Sequence, residues 1–418
     1  MYSNDEYILP CINAVLYILL LVYSIKIKHG ILIMISSIWL LCAALGIIYS
    51  LIPFTQTSND ITITPYIYLF VLFIIGLLPI SRLQPIDGEK LKVVYNESIV
   101  YGIVVVLAIC SFLPLLESLI QIAFSGLDNL ASNYEDRSAD FDNRGYFSFI
   151  GRILYSVEEY FEFITPTFFF VYVTSFKEKK LWITIGLIAA LLNPLFNNLA
   201  NGQRYYTVVF VYVLLYNYLL FYKLFEEQQR KRLVQLSLIV GGVLGILFIS
   251  ISLNRTGNGT EELGAAYQFI RYLGESMYNF NTDCYWITDF VGGEHSLKGY
   301  YTYFGINDTT IDDQTTLLDI VSNGFYTYIG AFVMDYGLFI TFILLTLLSL
   351  LFYNIISRIE NEINIGTLIT ISLYVNIFLF GTTYFIYENG FIHLVWAIVL
   401  SVFLLYSEVD NYESTETL

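Results

Sequence analysis

Three arginines carry the most specific chemistry in this chain. Arg204, Arg255 and Arg271 each stand at or near a point where an apolar run meets a polar segment. A guanidinium spans two phosphate oxygens in a fixed fork and keeps its charge when partly desolvated. At a membrane–water boundary that chemistry suits the diphosphate of a lipid carrier. Tyr205, Tyr206, Tyr267 and Tyr272, with Tyr278 and Phe280 further on, offer ring faces for stacking against sugars. The same rings also fit an ordinary interfacial aromatic belt. Glu275 follows Arg271 by one helical turn and is a candidate general base; as a plain i,i+4 pair the two would contribute only about 0.2–0.5 kcal/mol. His295, in VGGEHSLKGYY, titrates near neutrality and could move a proton. Glu262, Asp283, Asp289 and Asp335 are further acidic candidates.

The element that must position these groups is the polar segment 253–323, set between apolar runs at 233–252 and 334–356. Glu262 to Met277 contains no proline, and Gln268, Arg271 and Glu275 recur three or four apart, so a helix with one polar face is expected. A polar segment of that length between spans suits a lid, a gate or a binding site. A second polar segment, 120–159, is acidic: Ser125 to Gly145 reads as irregular, Tyr146 to Tyr160 as a helix lying at the interface. A short connection, NNLANGQR, places Arg204 at the mouth of the following run.

Composition sets the class. Of 418 residues, 56% are apolar and 13% charged, with mean hydropathy +0.64, which no soluble globular chain resembles. Apolar runs at 8–25, 31–53, 65–81, 98–119, 160–176, 181–197, 205–223, 233–252, 334–356, 364–386 and 391–407 predict an all-α polytopic membrane protein of about 11 transmembrane helices, a single domain over 1–418 with two large outward loops. Alternate connections then collect nine of the ten lysines, the expected cytoplasmic signature, leaving the N-terminus outside and the C-terminus inside. Six of the ten arginines (Arg137, Arg144, Arg152, Arg204, Arg255 and Arg271) fall on the other side, which inside-anchoring does not explain. The N-terminal run lacks the basic flank of a cleaved signal and reads as a permanent span. The net charge of −16 argues against nucleic acid. Four cysteines without a CxxC, and the absence of HExxH, a DxD in the first loop or a nucleotide-binding glycine loop, give no reason to expect a metal or another cofactor.

Arg204 in NGQRYYTVV, Arg255 in NRTG, the RYLGES stretch, and YTYIGAFVMDYGLF with Gly330, Asp335 and Gly337 entering a span together resemble the Wzy-type oligosaccharide repeat-unit polymerases, also called O-antigen polymerases. The resemblance lies chiefly in 196–356 and rests on a pattern rather than a strict motif. It implies a multispanning protein of the bacterial cytoplasmic (inner) membrane, making O-antigen, capsule or a related polysaccharide. The implied activity is that of a metal-independent glycosyltransferase acting on the periplasmic side. Donor and acceptor would be undecaprenyl-diphosphate-linked glycans, with a flippase and a chain-length regulator as possible partners besides the lipid bilayer. Arg204, Arg255 and Arg271 would hold the departing diphosphate, Glu275 or His295 would take the acceptor proton, and Tyr205, Tyr206, Tyr267, Tyr272 and Asp335 would contact substrate. The alternatives are an O-antigen ligase and a flippase or transporter of the same lipid-linked unit, though no two-fold hydropathy repeat supports a transporter.

Overall fold

The computed structural model describes residues 4–52, 59–132, 147–201, 205–255, 264–293, 296–297, 300, 325–387 and 391–416. Among them the chain is helical almost throughout. In order come α1 (Asn4–Lys26), α2 (Gly30–Ser50), α3 (Ile63–Ile80), α4 (Glu97–Cys110), α5 (Phe112–Ser132), α6 (Phe149–Glu159) and α7 (Thr165–Ser175). Then follow α8 (Leu181–Ala200), α9 (Tyr205–Phe221), α10 (Glu227–Arg255), α11 (Gly264–Thr282), α12 (Tyr328–Ser357), α13 (Ile365–Phe380) and α14 (Phe391–Glu416). Helices satisfy their own backbone groups, which is what a water-free bilayer interior demands. The only sheet described is a parallel pair of three-residue strands, β1 (Lys92–Val94) and β2 (Glu362–Asn364), with Lys92 opposite Glu362.

The expected count of about 11 spans does not hold. Six described helices are long and apolar enough to cross a bilayer: Ile8–Lys26, Gly30–Ser50, Ile63–Ile80, Glu97–Phe124, Leu181–Ala200 and Tyr328–Ser357. They coincide with six of the expected runs, and helix length removes most of the others. The 160–176 run is interrupted by turns over Tyr160–Ile164, leaving α7 with 11 residues. At 1.5 Å per residue that is roughly 16 Å, against about 30 Å of hydrocarbon. The 364–386 run yields 16 helical residues before the chain turns at Gly381. Among the described residues, the apolar stretches at α9 and α14 are Phe210–Leu224, which runs on past the end of α9, and Phe391–Ser407. The 233–252 run lies within α10, where the side chains from 247 onward fall outside the described residues. The expectation that 125–145 is irregular also changes, since α5 stays helical to Ser132 and 133–146 lie outside the described residues.

The chain divides into two compact units. The first comprises 1–83, 269–359 and 373–395. Its α1–α2 hairpin reverses through Lys28, which takes φ 55°. His29 then caps α2 by accepting from the Leu32 N–H at 3.3 Å. Burial pushes the His29 imidazole below its ordinary range; the neutral ring that results accepts at Nδ1 and donates from Nε2 to the Leu83 carbonyl at 2.8 Å. An aromatic cluster fills the interior. Trp39 stacks on Phe73 at 4.1 Å and donates its indole N–H to the Phe378 carbonyl, while Tyr374 stacks on Phe352 at 4.0 Å and donates to Gly76. Lipid tails are as apolar as these rings, so close packing and the hydrogen bonds of Trp39 and Tyr374 hold the cluster rather than escape from water.

α12 belongs to this unit and is broken. Gly337 sits at φ 72° inside it, a left-handed conformation in which an L side chain is strained, and the Phe290 ring occupies the space a Cβ would need. The carbonyls released by the break are recovered: Leu338 accepts from Tyr68 Oη at 2.6 Å, Met334 from Val291 N at 3.3 Å and Asp335 from Gly292 N at 2.9 Å.

The second unit comprises 84–268, 360–372 and 396–418. Here α8 packs on α4, α5, α7 and α9. Gly186 lets α8 approach so closely that a Cβ on it would lie 2.5 Å from the Ala108 side chain of α4. Asp87 organises the turn that leads into β1, accepting from the backbone N–H groups of Leu91, Lys90 and Glu89. Those N–H groups, led by Leu91 and Lys90, hold its carboxyl below the usual range.

Candidate functional site

The helix expected over Glu262–Met277 is observed as α11, Gly264–Thr282, and the Arg271–Glu275 part of its polar face is paired as the spacing implies; Glu262 and the Gln268 side chain lie outside the described residues. Arg271 Nε donates to Glu275 Oε2 at 2.9 Å. The other carboxylate oxygen, Oε1, accepts from the Tyr49 hydroxyl of α2 at 3.2 Å. The Glu275 side chain is 7% exposed and that of Arg271 33%. Burial raises the Glu275 carboxyl above its ordinary range, although Arg271, Tyr49 and Asn279 all pull it back. The arrangement fixes the guanidinium in one plane through Nε while leaving part of it at the surface. A buried, doubly engaged carboxylate orients Arg271 first; its raised proton affinity also suits it to take a proton if Arg271 moves.

The C-terminal half of α11 is fastened along its length. Ser276 donates to the Thr382 carbonyl, and Asn279 donates to the Phe325 carbonyl at 3.0 Å. Asn281 makes a reciprocal pair with the Thr62 backbone, donating at 2.7 Å and accepting at 3.0 Å. Asn59 donates to the Thr282 carbonyl at 2.7 Å. Tyr278 meets Tyr49 edge-on at 5.4 Å, and Tyr272 lies 5.1 Å from Phe325. At Gly274 the α11 backbone touches that of α2.

The expected constellation is brought together in part. Arg271, Glu275, Tyr272 and Asp335 belong to the first unit, and Tyr205, Tyr206, Arg255 and Tyr267 to the second. Tyr205 and Tyr206 open α9 and Arg255 ends α10, with side chains outside the described residues. Arg204, Glu262 and His295 lie outside the described residues altogether. Asp335 is buried beside the break in α12, and its Oδ2 accepts from the Ser296 N–H at 2.6 Å. That bond ties Ser296 to α12. Asp289 is exposed, and Asp283 accepts from the neighbouring Thr282 hydroxyl.

Two features escaped the sequence. Tyr49 lies in an apolar run, 226 positions from Glu275, and no local pattern marks it. In the second unit, Glu158 and Tyr155 of α6 meet Asn193 and Asn197 of α8 in a buried polar cluster. The asparagines at 193, 197 and 201, each one turn apart, were the available signal. Compared with family models, curated proteins and solved structures, the chain matches none of them.

Proposed function

We propose that this multi-pass membrane protein joins lipid-diphosphate-linked oligosaccharide repeat units by glycosyl transfer. The acceptor sugar hydroxyl attacks the anomeric carbon of the donor. The bond from that carbon to the diphosphate oxygen breaks, its electron pair leaves with the diphosphate, and the hydroxyl proton passes to a base. Arg271 binds the departing diphosphate, with Arg204 and Arg255 as further arginines from the sequence alone. Glu275 and His295 are the two candidates for the base. The observation that carries this reading is the Arg271–Glu275–Tyr49 arrangement, which holds a part-exposed guanidinium in fixed orientation. Preorganised cationic donors of this kind stabilise a developing phosphate charge without reorganising during the reaction.

Placement of that site outside the cytoplasm is part of the same proposal. In the first unit, Lys26 and Lys28 stand where α1 ends and α2 begins, and Arg82 follows the end of α3 beside Leu83, whose carbonyl accepts from His29; Tyr49 lies at the opposite end of α2. By the positive-inside rule the basic end faces the cytoplasm, and Glu275, which Tyr49 contacts, faces away from it. A bacterial cytoplasmic membrane is the location this implies.

The test is polymer formation from purified lipid-linked repeat units by the full-length protein in liposomes. Wild type should yield a ladder of products and Arg271→Ala almost none at equal protein amount. An undiminished ladder with Arg271→Ala would remove the guanidinium from the reaction. Transfer to a lipid A-type acceptor without a ladder would identify a ligase, and movement of the unit across the bilayer without new bonds a transporter.

A further inference from the structure

Glu158 sits at the end of α6 with 2% of its surface exposed, and Asn193 on α8 is fully buried. The Asn193 amide N–H donates to Glu158 Oε2. Among the described residues, no donor reaches the remaining oxygen of each group, Glu158 Oε1 and Asn193 Oδ1. Both are acceptors if the carboxyl is ionised. Two orphan acceptors on a pair of groups already joined by one hydrogen bond are costly in a buried site. A single proton on Oε1, given to Asn193 Oδ1, would remove both deficits, because a carboxylic acid and a primary amide can pair reciprocally: N–H to the acid oxygen, O–H to the amide oxygen.

We propose that Glu158 and Asn193 form a buried proton-binding site, a neutral acid–amide pair that latches α6 onto α8. It lies in the second unit and stands independently of the glycosyl transfer proposed above. The surroundings favour a neutral carboxyl. Burial pushes Glu158 well above the ordinary carboxylate range, outweighing the opposing hydrogen bond from Asn193. Glu162 and Glu159 raise it further; the nearby Ser111 hydroxyl pulls the other way, although in this structure its proton goes to the Leu107 carbonyl at 2.7 Å and not to Glu158. Of the elements packed on α6, α4 contributes Cys110 and Ser111 and α5 contributes Glu117, which accepts from the Ser148 N–H. α8 contributes Asn193 and Asn197, the latter donating to Tyr155 Oη at 2.6 Å. Every charged group that acts on Glu158 among these described residues is acidic, so none of them offsets a buried negative charge.

The sign of the pH effect follows from proton binding. The folded protein keeps this proton at pH values where an unfolded Glu has lost it, so folding weakens as pH rises above the ordinary Glu value of roughly 4.3 towards the raised one. Glutamine presents the donor and acceptor pattern of a protonated Glu. Glu158→Gln should therefore fold, melt with wild type at about pH 5, and outlast it at about pH 8, the gap opening by about 2–5 °C per pH unit. An infrared carbonyl band of a protonated carboxyl should be present in wild type at neutral pH and absent from Glu158→Gln. Melting is followed in detergent in sodium and in choline chloride. The proposal is overturned if Glu158→Gln fails to fold, if it melts below wild type with the same pH slope, or if sodium stabilises wild type but not the variant. The last result would assign the site to a cation instead.

Discussion

Gly46 of α2 and Gly274 of α11 bring two helix backbones into contact: a Cβ on Gly274 would lie 2.5 Å from the Leu45 carbonyl oxygen, and one on Gly46 would lie 3.3 Å from that of Gly274. Residue 275 follows directly, so this crossing sets the depth at which Glu275 meets Tyr49. Backbone cannot step aside as a flexible side chain can. Gly274→Ala should cost about 1–3 kcal/mol of stability, the usual range for overpacking, and should lower activity by displacing Arg271. Gly46→Ala should cost less, since a shift of a few tenths of an ångström accommodates it. Thermal melting of the two variants checks the order.

Arg271 should not be replaceable by charge alone. Losing one charge-assisted hydrogen bond costs roughly 1.5–3 kcal/mol, which in a transition state is about ten- to over a hundredfold in rate. Arg271→Ala should fall by at least that much, and Arg271→Lys should recover part of it, because an ammonium cannot match the planar fork that Glu275 orients. Single-turnover rates on lipid-linked substrate measure both.

The pH profile separates the two roles open to Glu275. If it accepts the proton, activity falls as pH drops through its pKa, which burial places above the ordinary carboxylate range. Arg271 pulls that pKa down, so the acid limb should move to higher pH in whatever activity Arg271→Lys retains if lysine couples more weakly, and should vanish in Glu275→Gln. If Glu275 only orients Arg271, Glu275→Gln should slow the reaction while keeping the limb. Tyr49→Phe should slow it in either case, by removing the donor to Oε1.

Orientation can be tested at two points of the first unit. Reporter fusions at Lys28 should read cytoplasmic and at Asn59 external, since α2 separates them and Asn59 pairs with the end of α11. The reverse result would put Arg271 and Glu275 on the cytoplasmic side and end the proposed reaction.

What the sequence could convey depended on how local each feature is. The helix of Arg271 and Glu275 was legible because a spacing of four is a local property of one helix. Tyr49 was not, because its partner is distant in sequence and its neighbours are uniformly apolar. Span number failed for a different reason. Hydropathy registers how long an apolar run is, whereas crossing depends on where the helix stops; the turns lie at Tyr160–Ile164, in a run that Glu162 and Pro166 mark in the sequence, and at Gly381, in a run that looks continuous. The helix expected over Tyr146–Tyr160 is present as α6, but an interfacial position does not foretell that the fold buries Glu158 against α8.

The break at Gly337 has an electrical meaning as well as a geometric one. An unbroken helix over Tyr328–Ser357 would carry one macrodipole, its charged ends some thirty residues apart. Broken at Gly337, it carries two in series, so the negative end of the first segment meets the positive end of the second, each roughly half an elementary charge. Asp335 is two residues upstream of Gly337. The carboxylate of Asp335 stands in the last turn of the first segment, on the negative side of that junction, and the Ser296 N–H it accepts answers its charge there.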